Sequence, residues 1–281
     1  MTLPDLARDD VVGTLERVLH IARVAGQVKE QMTEGRRRPE HRELILSPRG
    51  FRTGLLDGRI EIRVDLLQQE LRVVSTDGRV QVIDLSGSGP ANLTGEVTEA
   101  LGSRGTAVSL DVDGPSDASA ALETARVAGL MQAWGRFHQA FVTVREQVAA
   151  PAGEVTLDPD TLDLGVRLYS GLVPPGADGP GETIRVWLSH GLTSRDEARE
   201  GREAAFMAEL TPAAARPGDE LRPAGAVWDA DGSRARLVYR AIAPRRDWET
   251  ALGWFCESSV AALARAARWD VRALSPAVAI D

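Results

Sequence analysis

Residues 44–84 read LILSPRGFRTGLLDGRIEIRVDLLQQELRVVSTDGRVQVID. Apolar and polar residues alternate along most of this stretch, the two-residue period of strands that bury one face. The alternation breaks at Asp57-Gly58 and Asp77-Gly78, dipeptides that tolerate positive φ and close hairpins. The stretch therefore predicts an antiparallel meander, with strands near 44–47, 59–66, 70–75 and 79–85.

Before the meander, Leu15, Val18, Leu19, Ala22 and Val28 recur at a helical period between Val11 and Met32, with Glu16, Arg17, Arg23 and Lys29 elsewhere around the wheel. The GRRRPEH run at 35–41 breaks that helix. After the meander, SGSGP at 86–90 leads into a short helix marked by Leu93, Val97 and Leu101, and AVSLDV at 107–112 reads as another strand. Capping residues in DGPSD at 113–117 precede a long helix whose stripe is Leu130, Trp134, Phe137, Phe141, Val144 and Val148. Strands are expected again near 162–169, 183–189, 203–210 and 235–241, with a hairpin turn from Asp229 to Ser233. A last helix over about 246–268 directs Trp248, Leu252, Phe255 and Leu263 inward.

These elements predict an α+β fold, with antiparallel β-sheets packed against a long central helix and a C-terminal helix, in a single domain over 1–281. Sub-halves 1–113 and 114–281 each read as helix, four strands, helix. Element order alone therefore suggests an internal pseudo-repeat, which the residues themselves do not show.

The 281 residues are 43% hydrophobic, enough for a sizeable core. A net charge of −8 and a pI near 5.2 argue against a nucleic-acid or membrane-surface partner, which would reward a clustered positive field. A small acidic or neutral molecule is the expected partner, with self-association also open. Lys29 is the only lysine, and the Arg- and Ala-rich composition reads as coding bias. Cys256 is the only cysteine, so no internal disulfide forms and no cysteine-based zinc site closes. The N-terminal stretch has no signal-peptide pattern, and no window has the length of a membrane span. The expected location is the cytoplasm.

His41, Leu44, Leu46, Ser47, Arg49, Gly50 and Phe51 follow the pattern His-x-x-Leu-Tyr-Val-Thr-x-Arg-Gly-Leu, and the similarity continues through IEIRVDLLQQELRVVSTDG, LDLGVRLYSG, LVYR and WETALGWFCESSVAALARAARWD. In these segments the chain resembles the bacterial domain-of-unknown-function family DUF5996, which implies the fold and a bacterial origin but no activity. It departs from the family where EVTLDPDT replaces an aromatic- and histidine-rich segment, and in lacking a Phe-Trp-Pro-Gly segment. The family's arginine before Phe-Ser-Gly is Leu168 here, with Arg167 one place away and so on the opposite strand face.

No catalytic signature is present, and no motif names a cofactor. The candidate ligand-binding residues are His41, Arg49, His138 and His190. His41 and Arg49 flank one short strand and pair an imidazole with an anion-binding guanidinium, against the alternative of structural hydrogen bonds. His138 borders the aromatic stripe of the long helix, where a satisfied core histidine is the plainer reading. His190 ends a strand beside a glycine, as ligand-facing residues and solvated turns both do. His20 with Glu16 one turn earlier, and the aspartate groups 111/113, 158/160/163 and 229/231, lack the further ligands a metal site needs. SGSGPAN lacks a full phosphate-loop pattern, Ser170 and Ser189 lack a nucleophile elbow, and Cys256 at helical spacing with Leu252, Ser259 and Leu263 reads as a packed thiol. Lys29, alone on an amphipathic helix, gives no reason to expect Schiff-base chemistry. Two functions remain: a small-molecule-binding protein or enzyme with a pocket between sheet and long helix, or a non-catalytic protein-interaction module.

Overall fold

The computed structural model describes residues 9–33, 41–86, 90–112, 122–148, 150–170, 182–190, 203–212, 219–230 and 232–269. Its elements in chain order are α1 (Asp9–Met32), β1 (Leu44–Ser47), β2 (Gly50–Arg52), β3 (Ile60–Asp65), β4 (Glu70–Ser75), β5 (Val80–Asp84), α2 (Pro90–Gly102) and α3 (Thr124–Gln147). They continue with β6 (Thr156–Leu157), β7 (Leu164–Tyr169), β8 (Thr183–Ser189), β9 (Ala205–Thr211), β10 (Val227–Trp228), β11 (Arg234–Val238), α4 (Tyr239–Ile242) and α5 (Trp248–Ala266). The fold is α+β: five helices and one antiparallel sheet of eleven strands among the described residues.

The sheet order is β10-β11-β9-β8-β7-β6-β1-β2-β3-β4-β5. The expected meander is present, with five strands rather than four because the turn at Pro48-Arg49 releases β2 as a strand of its own. The second half contributes six strands. Only a narrow seam joins the two sets: Leu44 opposite Leu157 and Ile45 opposite Thr156.

Strand alternation divides the sheet into two faces. One carries Leu44, Phe51, Val64, Leu71 and Ile83 in the first half and Leu164, Val166, Leu168, Ile184, Val186 and Phe206 in the second, all buried. The helices pack on this face, α2 against β4 and β5, α3 against β7, and α5 against β8 and β9. The long-helix stripe is buried from Val127 to Val144, so α3 is the central packing element. Phe137 on α3 meets Phe206, Tyr239 and Trp248 edge-on at centroid distances of 5.3, 6.0 and 5.5 Å, a geometry that favours aromatic pairs beyond their burial. The opposite face carries Arg52, Arg63 and Arg72 directly across from one another. Their mutual repulsion is offset by Glu61, bonded to Arg52 at 2.9 Å and to Arg63 at 2.6 Å, and by Glu70, 2.6 Å from Arg72.

Three expectations change. Residues 107–112 form no strand, because Gln27 and Gln31 take the backbone bonds a neighbouring strand would have made. Gln27 donates to the Asp111 carbonyl at 2.8 Å and accepts from its N–H at 3.0 Å; Gln31 does the same for Ser109 at 2.6 and 2.9 Å. The four-residue step from Gln27 to Gln31, a rise of about 6 Å along α1, matches the rise of about 6.6 Å over two extended residues. The strand expected over 235–241 stops at Val238, where the chain turns into α4. On α1, Arg17, placed off the apolar stripe by the sequence, is nevertheless buried at 5% exposure, as is His20 at 2%. The runs GRRRP, DGPSD and VPPGADGPG, and the centre of SGSGP, lie outside the described residues.

Candidate functional site

The seam places charged residues where the sheet is narrowest. Glu43 precedes β1 and shares the face of Ile45, so its carboxylate reaches across β6 to β7. One oxygen accepts from Arg167 Nη2 at 2.7 Å and Nε at 3.2 Å, and the other from the Thr156 hydroxyl at 2.6 Å. Its backbone carbonyl accepts from Lys29 Nζ at 2.5 Å. The Glu43 and Arg167 side chains are only 6% and 16% exposed. Burial alone would push Glu43 up, yet Arg167 and Thr156 together hold it below the usual carboxylate value. Arg185, opposite Arg167 on β8, extends the layer: its guanidinium lies 5.0 Å from the Trp187 ring centre and 3.7 Å from Asp158.

Beside this pair opens a cleft of about 200 Å³ lined by Lys29, Glu43, Ile45, Gly153, Glu154, Thr156, Arg167 and Tyr169. Lys29 comes from α1, and α1 reaches this depth because Gly26, one turn earlier, lies against Pro159; a Cβ there would sit 2.6 Å from the proline Cβ. Burial lowers the Lys29 pKa, against the opposing pull of Glu43 and Glu154. The four lining side chains charged at neutral pH, Lys29, Arg167, Glu43 and Glu154, balance in charge.

The four nominated residues are not gathered here. Arg49 lies in the β1–β2 turn, half exposed, and pairs with Asp65 at 2.6 Å. His41 lies beyond the other end of β1, so the strand's length separates the two. His190 sits in the core beneath α3, its Nε2 accepting the Trp134 indole N–H at 3.0 Å. His138 does not line the cleft either: it is half-buried, and its pKa is lowered by burial first and Arg145 second, against the charge of Glu154. The cleft's helical wall is α1 rather than α3. Lys29, Glu43 and Arg167 escaped the sequence reading because a site assembled by strand register has no local spacing. The one available signal was Arg167 on the strand face opposite Leu168, and that register holds: Leu168 is fully buried on the helix side.

A model of a family of unknown function, DUF5996, matches residues 3–276. The chain belongs to DUF5996. No curated protein and no solved structure matches this DUF5996 chain. No group of three His, Cys, Asp or Glu among its described residues is placed to hold a metal ion, and no described helix is long and apolar enough to cross a membrane. Burial pushes the Cys256 thiol up to about 12, consistent with a packed, unreactive side chain.

Two buried titratable groups close the β7–β8 ladder from opposite faces. Burial first, with Asp158 second in the same direction, pushes Asp163 up to about 7 against Arg185. Burial pushes His190 down to about 4, since protonation would set an Nε2–H against the Trp134 N–H. A raised carboxylate weakens the fold as pH rises from about 4 through 7, and a depressed imidazole weakens it as pH falls from about 6.5 to 4, each by about 1.4 kcal/mol per pH unit within its window. The two slopes oppose one another, so the parent should show a flat urea midpoint between pH 5 and 6.5. Asp163→Asn should unmask the histidine: stability at pH 8 rises, by up to about 4 kcal/mol, and then falls steadily with acid below pH 6.5. A variant profile parallel to the parent's would refute this assignment.

Proposed function

We propose that this DUF5996 protein binds a small acidic or neutral polar molecule in the cleft between α1 and β1–β6–β7, as a binding protein or as an enzyme acting on that molecule. The observation that carries the reading is the desolvated Glu43–Arg167 pair with Lys29 at the cleft. Apolar residues of equal volume often stabilise a fold as well as a buried ion pair, so folding gives no general reason to keep such a pair, and perturbed charges converging on a cleft are candidates for functional sites. The volume, below the roughly 300–1,000 Å³ of pockets for drug-sized ligands, selects a small compound. The single buried cysteine and the family resemblance favour a bacterial cytoplasmic setting.

Gly153→Leu supplies the test, because its Cβ would sit 3.4 Å from the Tyr169 hydroxyl and its side chain would fill the cleft. Thermal melts against a panel of small monocarboxylates, amino acids and sugars should show one class raising the parent's Tm and leaving the leucine variant unmoved. No shift with any member, or the same shift in both proteins, would end the proposal.

A second reading, an interaction module, draws support from β5, an edge strand on which Val80 and Val82 are each 53% exposed. Native against denatured mass spectrometry separates the two: a bound small mass favours the cleft, and a stable oligomer without one favours the edge.

A further inference from the structure

We propose that Lys29 forms a reversible Schiff base with a small carbonyl compound, an aldehyde or 2-oxo acid, in the cleft it shares with Glu154, Thr156 and Arg167. The inference rests on the cleft being a ligand site and names the class of ligand. Every other cationic side chain in the chain is arginine or histidine, neither of which forms a Schiff base, and the one lysine lines this cleft. Its Nζ is held at 2.5 Å by the Glu43 carbonyl, which fixes the amine at the end of α1 instead of letting it reach bulk water. Burial of Lys29 raises its neutral, nucleophilic fraction above that of a free lysine at the same pH.

The remaining groups supply what the reaction needs. The ammonium first loses a proton to solvent, with the Glu154 carboxylate as relay. The amine lone pair then attacks the carbonyl carbon, a C–N bond forms, and the C=O π electrons pass to oxygen, which takes up a proton. Loss of a second proton from nitrogen, protonation of the hydroxyl and its departure as water leave the protonated imine, which gives its last N–H proton to solvent to become the neutral imine, so amine and carbonyl give imine and water with no oxidant or reductant. Arg167, a guanidinium with five N–H donors that also lines the cleft, supplies the positive charge and fork geometry for a carboxylate on the ligand, while Thr156 stays committed to Glu43. Charge also fits: imine formation removes one positive charge from a balanced cluster, and protonation of the imine restores it.

The test treats the intact chain with glyoxylate, and separately with propanal, in the presence of cyanoborohydride, which reduces imines to stable amines, and maps the label by mass spectrometry. Lys29 should be labelled at least about tenfold faster than Nα-acetyl-lysine at the same pH, because a carbonyl compound held in the cleft meets the amine at a raised effective concentration. A glyoxylate-to-propanal rate ratio above that of the model amine would identify a 2-oxo acid, and a ratio below it an aldehyde without a carboxylate. The chain's own α-amine serves as an internal reference, so the result does not depend on a variant folding; Lys29→Arg, if folded, should lose the label. Labelling of Lys29 no faster than the model amine, or confined to the α-amine, overturns the proposal. If glyoxylate raises the Tm of the parent and not of Gly153→Leu while Lys29 stays unlabelled, the ligand site stands and only the covalent step falls.

Discussion

Glu43→Ala should lower the free energy of unfolding by about 3–5 kcal/mol, the usual cost of leaving one member of a buried ion pair without its partner. The variant takes from Arg167, whose side chain is 16% exposed, the carboxylate it bonds twice, and removes the acceptor of the Thr156 hydroxyl. The loss is mainly the penalty for an uncompensated guanidinium, so a double variant, Glu43→Leu with Arg167→Met, should recover most of it. Urea unfolding of the parent, the single and the double variant completes the comparison. An alanine variant with an unchanged midpoint would show the pair to be solvated in solution, and the cleft argument would lose its foundation. The parent should also weaken in acid through this pair: Glu43, held below its ordinary value, contributes stability that is present at neutral pH and lost as pH falls through its folded pKa.

Gly165→Ala is the second large effect, and it arises from steric contact alone. Gly165 lies opposite Trp187 in the β7–β8 ladder, where the two strands approach so closely that an added Cβ would fall 2.3 Å from the Val186 carbonyl oxygen and 2.5 Å from the Trp187 Cβ. Two of its three nearest atoms belong to backbone, so no rotamer change relieves the overlap and β7 must move away from β8. Overpacking in a rigid core costs about 1–3 kcal/mol, and displacement of a central strand belongs at or above the top of that range. A midpoint within about 0.5 kcal/mol of the parent, the scatter of a neutral substitution, would mean that the strands separate more readily than their registry implies.

Most of the architecture was readable because long amphipathic runs carry their own period. The stripe from Leu130 to Val144 on α3 and the alternation through β3 and β4 needed no partner to be recognised. What escaped was set by partners. Strands β6 and β10 have two residues each, too few for any period to register. AVSLDV alternates as an extended chain should, yet its hydrogen bonds go to glutamine amides, and alternation records the shape of a backbone without recording what satisfies it. For the site the limit was stronger still: Glu43 and Arg167 are 124 positions apart, and only the pairing of β1 with β6 and β6 with β7 brings them into contact. Histidines drew attention because they titrate near neutrality, while the charges that converge on the cleft belong to residue types common on any surface.

The two-residue junction between β1 and β6 gives the sheet a tear line. Under tension applied across the strands, the six- and seven-residue ladders of β3–β4 and β8–β9 share load over many bonds, whereas the junction presents only Leu44–Leu157 and Ile45–Thr156. Lys29, Glu43 and Ile45 lie on one side of that line, and Gly153, Glu154, Thr156, Arg167 and Tyr169 on the other. A molecule lodged among them would act as a rivet, raising the force at which the two halves part and coupling their breathing motions whenever it is bound.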